Sequence, residues 1–518
     1  MTKQIVLTTL NARYAHTALG LRYLYANLQE LQDQAVILEF IIKDQTAEIA
    51  ERILSEAPRI IGFGVYIWNA LETRAVIHLI KKVAPQIQIV LGGPEVSYLP
   101  QRVAFEADYV ISGEGDTAFY TLCKALLDGT PPEQRQLGQP PPELAKLSLP
   151  YDFYTDHDLR QRITYVEASR GCPFSCEFCL SSLDQKVRKF DTDLFIEQLE
   201  SLWQRGARNF KFIDRTFNLQ PQVTNRILDF FLSKSTPYFA HFEMIPDHFP
   251  EHLKDKLRQF APTSLQLEIG IQSLNPEVSG RIKRKLKPEV VEANIRYLAE
   301  QTQAHLHLDL IVGLPGESLE SFGHNLNALA SWADAEIQIG ILKKLSGTDL
   351  FRHDQSFGMV YSDLPPYEIL QNNLISFQQM QVIKRFARFW DLTYNSGNFR
   401  RSIRLLWPDG DVYTHFGAFS DWLYAQTQAT GHIALLRLAE LLFKYLTGVK
   451  NMSPDQLAPL LLQDLESTQG TRCPAFLKAW KLDKPQSATA YPKALKRQAK
   501  RALQPQSDSA AGVNLLNC

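Results

Sequence analysis

The chain has 518 residues, room for two or three domains, and its 45% hydrophobic and 21% charged composition excludes a disordered or fibrous protein. Lys plus Arg number 55 against 56 for Asp plus Glu, and this net charge of −1 argues against chain-wide attraction to nucleic acid or anionic lipid. No run reaches the roughly 18 apolar residues of a membrane span, Met1–Leu10 does not pattern as a secretory signal, and six cysteines are too sparse for a disulfide scaffold, so a cytoplasmic protein with no membrane partner is expected.

In chain order, residues 1–128 alternate short apolar, β-branched runs with amphipathic stretches. Strands are expected at Gln4–Leu7, Val36–Ile41, Ile60–Val65, Ile87–Leu91 and Tyr109–Ile111, with helices between them such as Leu71–Val83. That alternation predicts a parallel, doubly wound α/β sheet of the flavodoxin-like (Rossmann-like) kind. Residues 129–150 hold Pro131, Pro132, Pro140, Pro141, Pro142 and Pro150 and are expected to be an extended linker. Residues 151–350 repeat the alternation. Six strands are expected there, at Ile163–Ala168, Asn209–Asp214, Phe239–Met244, Ser264–Gly270, Leu306–Val312 and Glu336–Leu342, with the clearest helix at Leu194–Trp203. Six consecutive βα units predict a partial (βα)6 barrel with its site at the C-terminal strand ends. Residues 351–503 are mainly helical in pattern, as in Ile433–Leu446, and 504–518 are expected to be a disordered tail.

Three of the six cysteines, Cys172, Cys176 and Cys179, form a C-x3-C-x2-C array directly after the first barrel strand. Thiolates select soft centres, namely iron–sulfur clusters, zinc or Cu(I). A structural zinc site needs a fourth ligand, and the nearest His on the C-terminal side is His241. A cubane cluster on three cysteines leaves one iron open to a ligand.

The array, with an aromatic at Phe178, resembles the signature of the radical S-adenosylmethionine (radical SAM) enzymes, over about Ile163–Leu350. The resemblance implies a [4Fe-4S] cluster on Cys172, Cys176 and Cys179 whose open iron chelates S-adenosylmethionine. An electron from the cluster then cleaves that molecule to a 5′-deoxyadenosyl radical. It also implies a S-adenosylmethionine site: Asp214 after strand two, Glu243 ending strand three, Gln272 and Ser273 in the strand-four element Glu268-Ile-Gly-Ile-Gln-Ser, and Asp309 and Gly313 in the strand-five segment Asp309-Leu-Ile-Val-Gly-Leu-Pro-Gly-Glu317. In the basic run Arg281–Lys287, otherwise a solvated face, Arg284 or Arg281 is the counterpart for the S-adenosylmethionine carboxylate.

The N-terminal sheet resembles the cobalamin-binding domain that precedes the radical barrel in one class of these enzymes. Its strand-end segments supply the residues implied to meet cobalamin: Asn11 and His16, Tyr66, Trp68 and Asn69, Gly92, Gly93 and Glu95, and Gly113 and Glu114. The D-x-H-x-x-G cobalt-ligand motif is absent, since Tyr14 stands at the Asp position and Gly20 comes one residue late. More loosely, Tyr394–Phe399 is similar to the helical C-terminal domain of an uncharacterised branch of the class. The function so implied is a cobalamin-dependent, C-methyltransferase-like radical SAM enzyme acting on a small molecule, with a reducing donor such as flavodoxin or ferredoxin. The alternatives are a radical rearrangement, cyclisation or oxidation enzyme whose sheet domain has lost cobalamin, and a non-enzymatic iron–sulfur electron-transfer or sensor protein. The basic segment Lys493–Arg501 patterns as a solvated helix, and nucleic acid is not an expected partner.

Overall fold

All five strands expected in the first 128 residues form, as β1 (Ile5–Asn11), β2 (Ala35–Ile41), β3 (Ile60–Gly64), β4 (Gln88–Gly92) and β5 (Tyr109–Ser112). They pair in the parallel order β2-β1-β3-β4-β5, the flavodoxin-like order. The computed structural model describes residues 3–98, 103–467 and 473–480. These described residues divide into two compact units, one falling within residues 3–230, 282–284 and 342–370, the other within residues 231–281, 285–341 and 371–480.

In the first unit β1 is buried along its whole length because helices cover both faces of the sheet. Alternation along β1 feeds two cores. Val6 and Leu10 pack with Ile49, Ile53, Ile77 and Ile80 of the helices Thr46–Leu54 and Ala70–Val83. Ile5 and Leu7 pack with Leu21, Phe119, Leu122 and Cys123 of the helices Leu19–Ala26 and Asp116–Leu127. Cys123 is thus a core thiol, and burial pushes its pKa up. The proline-rich linker is not wholly irregular: Gln136–Gly138, β6, adds a sixth parallel strand beside β5. Its prolines lie on either side of that strand, where no ladder N–H is needed.

The first unit also contains β7 (Thr164–Val166), the two-residue strands β8 (Ser169–Arg170) and β9 (Arg188–Lys189), and β10 (Asn209–Phe212). β10 pairs parallel with β7, and β9 pairs antiparallel with β8. A buried quartet ties β2 to the segment before β7. Arg22 and Arg162 each bond Glu39 and Asp158 at 2.8–3.0 Å, and no side chain of the four is more than 9% exposed. Burial would raise the Glu39 carboxyl, but the two guanidinium groups outweigh it and hold the pKa below the usual range.

The second unit holds four further strands, β11 (Phe239–Met244), β12 (Leu265–Gln272), β13 (His305–Val312) and β14 (Glu336–Ile341), which pair parallel with one another in that order. It continues into the helices Phe377–Trp390, Val412–Thr427, Leu435–Gly448 and Pro454–Glu466. The helical region docks on β14: Trp390 Nε1 and Asn395 Nδ2 donate to Ile337 O at 3.0 and 2.8 Å, and Ile337 N–H donates to Asn395 Oδ1 at 3.0 Å. The Tyr394–Phe399 segment is therefore built for packing. Residues 351–370 depart from the expected helical pattern. They form the paired short strands Val360–Tyr361 and Ile369–Gln371 and, up to Leu370, belong to the first unit. The expected disordered tail, Lys493–Arg501 and Cys518 lie outside the described residues. Among the described residues no helix is long and apolar enough to cross a membrane.

Candidate active site

The cysteine loop, residues 171–187, is closed at its neck by the β8–β9 pair, Ser169 opposite Lys189 and Arg170 opposite Arg188. Gly171 makes the turn into it at φ 92°, and a Cβ there would lie 2.4 Å from Lys186 O, so only glycine permits the closure. Cys172 N–H donates to Asp184 O (2.9 Å) and Cys179 N–H to Cys176 O (3.1 Å). Cys176 is buried, Cys172, Phe178 and Cys179 are partly so, and none of the three thiols is in a disulfide. Burial pushes up the pKa of Cys172 and Cys176, opposed at Cys176 by Arg284, whose Nη1 lies 3.7 Å from its Sγ. Among the described residues no three His, Cys, Asp or Glu side chains converge on one metal-ion position. A cubane's three cysteines stand on separate irons and need no such convergence, so the loop's three thiols and its cation suit an anionic cluster.

Glu177, inside the array, was not foreseen as a site residue. Its buried carboxylate receives Lys283 Nζ at 2.8 Å and Arg352 Nη1 at 3.0 Å, with His353 Nε2 2.5 Å away, and its N–H donates to Ile282 O. The only sequence signal was an acidic residue among three closely spaced cysteines. Asp214 is also buried, and its carboxylate accepts Ala168 N–H (3.0 Å) and Ser169 Oγ–H (2.6 Å). It locks the ends of β10 and β7 together, and burial pushes its pKa up to about 7.

Along the C-terminal edge of the first sheet lies a cavity of about 200 Å³ lined by Gly62, Gly64, Gly92, Gly93, Gly113 and Glu114, with Tyr66 and Arg170 also in its wall. Gly93 is required by the turn, since a Cβ there would lie 2.5 Å from Val65 O. At Gly92 the nearest atom to a Cβ would be Ile111 O at 4.0 Å, and at Gly113 nothing lies within 4 Å. Side chains at these two positions would therefore meet open space. The wall so formed is bare backbone, which a ligand can approach closely.

Not every residue expected at this cavity lies in it. Asn11 donates to Glu39 (3.2 Å), and Asn69 bonds Thr9, Leu10 O, Gly64 O and Tyr66 N–H, which makes both internal ties. Glu95 is buried and accepts Tyr367 Oη–H. His16 lies outside the lining: its Nδ1 is 2.6 Å from Tyr165 Oη, and burial lowers its pKa, with Lys211, Arg13 and Arg162 adding to the effect. Trp68, 45% exposed, stacks on Tyr66 with centroids 4.4 Å apart. Arg170 was missed, because nothing in its local pattern marks it.

In the second unit, Glu243, Asp309 and their register partners form one polar face. Glu243 is opposite Glu268, Glu268 opposite His307, and His307 opposite Glu336. The strict alternation His305, His307, Asp309 against buried Leu306, Leu308 and Leu310 was the signal for the histidines. Gln272 ends β12 at a register shift with φ 70°, and its Oε1 is buried with no hydrogen bond among the described residues. Ser273 is wholly buried and donates to Glu317 Oε1 at 2.5 Å, where Asn325 Nδ2 also donates at 2.8 Å. Glu317 Oε2 has no hydrogen bond among the described residues, and burial pushes this carboxyl up to about 7. Gly313 follows β13 at φ 90°.

Family models match along the chain in the same order as these elements: the B12 binding domain at residues 5–123, the Radical SAM superfamily at 166–329, and a protein of unknown function (DUF4080) at 355–511. The chain is a radical SAM protein with a B12-binding domain. This radical SAM protein is 25% identical over 331 residues to an uncharacterized methyltransferase of Pyrococcus horikoshii, covering 58% of this chain and 70% of that one. It is 25% identical over 313 residues to the 2-(S-pantetheinyl)-carbapenam-3-carboxylate methyltransferase of Streptantibioticus cattleyicolor (52% of this chain, 45% of that one). With the cobalamin-dependent radical SAM methyltransferase TokK of Streptomyces tokunonensis it shares 24% over 341 residues (57% and 48%), so it spans about half the length of these last two. Its fold matches that of the cobalamin-dependent S-adenosylmethionine radical enzyme OxsB, solved with aqua-cobalamin and S-adenosylmethionine, at TM-score 0.59 and 13% identity over 96% of this chain and 83% of that one. The fold also matches the radical S-adenosylmethionine methyltransferase TsrM of Kitasatospora setae, solved with cobalamin and a [4Fe-4S] cluster, at TM-score 0.53 and 16% identity over 68% and 77%.

Proposed function

We propose that the protein is a cobalamin-dependent radical SAM methyltransferase that methylates carbon in a small molecule. The observation that carries this reading is the presence, within one compact unit, of the three-cysteine loop and the glycine-lined cavity. When bound, the cluster supplies the electron that cleaves S-adenosylmethionine, and cobalamin supplies the methyl group. The chain's own part is to hold and orient these groups. Cys172, Cys176 and Cys179 hold the cluster, Glu177 anchors their loop through Lys283, Arg352 and His353, and Arg284 offsets thiolate charge. Phe178, Asp214, Glu243, Gln272, Ser273, Asp309 and Gly313 serve the S-adenosylmethionine site. Asp214 does so by fixing the strand ends beside the loop, and Gln272 Oε1 as an acceptor for a ligand hydroxyl or amine. Gly92, Gly93, Gly113 and Glu114 shape the cobalamin cavity, with Trp68 and Tyr66 as a stacked aromatic platform, while Asn11, Asn69 and Glu95 support its walls.

A low-potential donor such as flavodoxin or ferredoxin and a reducing, cytoplasmic setting complete the reading. The test is an anaerobic assay of reconstituted protein with hydroxocobalamin, reductant and cell extract. S-adenosylhomocysteine together with substrate-dependent 5′-deoxyadenosine is expected. 5′-Deoxyadenosine alone would point to a radical rearrangement or oxidation, and no cleavage at all to an electron-transfer protein.

A further inference from the structure

Between the cavity and the cysteine loop runs a chain of charged contacts that packing alone does not require. Arg170 and Arg188 face each other across the β8–β9 neck, and both reach Glu114 in the cavity wall. Arg170 Nη1 donates to Glu114 Oε2 at 2.8 Å, and Arg188 Nη2 donates to Glu114 Oε1. Arg170 also forks onto Asp116, a second wall residue, at 2.9 and 3.1 Å and reaches Glu167 through Nε at 2.8 Å. Arg188 Nη2 bonds Asp184 at 2.9 Å, and the Asp184 carbonyl accepts the N–H of Cys172. Three steps therefore lead from the cavity wall to the first cluster cysteine.

We propose that Glu114, Arg170 and Arg188 are positioning residues that couple the cavity to the cysteine loop, so that a corrinoid in the one and a cluster on the other tighten each other's hold. This rests on the cobalamin reading above. Glu114 stands between Gly113 (φ 80°) and Gly115, so its backbone has unusual freedom and its ion pairs are its firmest attachment. A ligand seated against Gly113 and Gly115 restricts that loop, and with it the carboxylate that both neck arginines share. The guanidinium groups are only 12% and 15% exposed, so solvent does not screen the contacts away. The neck pairs only two residues on each side and needs such a brace.

The experiment measures hydroxocobalamin Kd by equilibrium dialysis on the full chain, before and after anaerobic reconstitution with iron and sulfide. The cluster is expected to tighten hydroxocobalamin binding about fivefold or more, and by reciprocity hydroxocobalamin strengthens retention of the cluster. Arg188 is outside the cavity lining, so Arg188→Gln keeps the wild-type Kd in the cluster-free state while the cluster-dependent gain falls below about twofold. Glu114→Gln loses the same gain, and Arg188→Lys, which keeps the charge without the fork, retains part of it. An Arg188→Gln chain that binds hydroxocobalamin normally yet no longer retains iron supports the same role. Equal wild-type Kd values with and without the cluster, or a gain that survives in Arg188→Gln, would overturn the coupling alone. Failure of the wild-type chain to bind hydroxocobalamin in either state would overturn the cobalamin reading itself.

Discussion

Gly92→Leu is the cleanest way to test whether the cavity is the cobalamin site. Gly92 closes β4 with ordinary, negative-φ backbone, and a Cβ on it would come no nearer than 4.0 Å to any neighbour. The fold therefore tolerates a side chain there. By contrast Gly93 (φ 102°) would drive a Cβ to 2.5 Å from Val65 O, and Gly62 would drive one to 2.8 Å from the Phe119 ring. Leucine adds four carbons where the cavity of about 200 Å³ now has only a glycine hydrogen. Forcing a flat ring past such an obstruction costs about 1–3 kcal/mol, or roughly 5- to 150-fold in affinity. Hydroxocobalamin titration is expected to show that loss, with Gly92→Ala in between. Iron content and 5′-deoxyadenosine formation, measured without hydroxocobalamin, should remain, because the cysteine loop is untouched. Wild-type affinity in Gly92→Leu would refute the assignment of the cavity.

Three further outcomes are expected. Glu177→Ala leaves His353 without its carboxylate and releases Lys283 and Arg352, which are 42% and 53% exposed and so contribute little each; the loop loses about 1–3 kcal/mol of anchoring, read as faster bleaching of cluster absorbance in EDTA, with Glu177→Gln milder. Glu317 has its folded-state pKa raised from 4.5 to about 7, so between those values the folded chain holds a proton the unfolded chain has lost, and stability falls as pH rises across that window. At 1.36 kcal/mol per pH unit this is at most roughly 3 kcal/mol, so Glu317→Gln should raise Tm at pH 8 and leave it nearly unchanged at pH 4.5; equal shifts at both would count against a buried, proton-holding carboxyl. Trp68→Ala removes the exposed half of the Tyr66 stack and should weaken hydroxocobalamin binding about 3- to 10-fold without changing the iron content of protein reconstituted in the absence of hydroxocobalamin.

The site was unevenly legible in the sequence. Cys172, Cys176 and Cys179 stood out because one residue type repeated at close spacing is a local pattern, which survives without any knowledge of the fold. Gly92, Gly93 and Gly113 stood out because glycine pairs after apolar runs mark close backbone approach. Asn11, Asn69 and Glu95 had the same apparent standing, yet each is turned to an internal partner, since at a strand end a polar side chain serves the loop as readily as a ligand. Arg170 and Glu177 were not recognisable, because the cavity-wall partners of the one, Asp116 and Glu114, lie 54 and 56 residues away, and the side-chain partners of the other 106 to 176 away.

By itself the sequence determined the two βα alternations, the three-cysteine loop and the radical SAM assignment, because apolar periodicity and cysteine spacing are local properties of the chain. The tertiary structure decided the rest: that Gln136–Gly138 leaves the linker to pair with β5, that residues 342–370 pack in the first unit, and that His16 bonds Tyr165 outside the cavity. It also decided that two arginines at the neck of the cysteine loop share Glu114 with the cavity wall. Ion pairs and strand registers join residues far apart in the chain, and no local pattern records which partner a charged side chain will find once the backbone has closed around it.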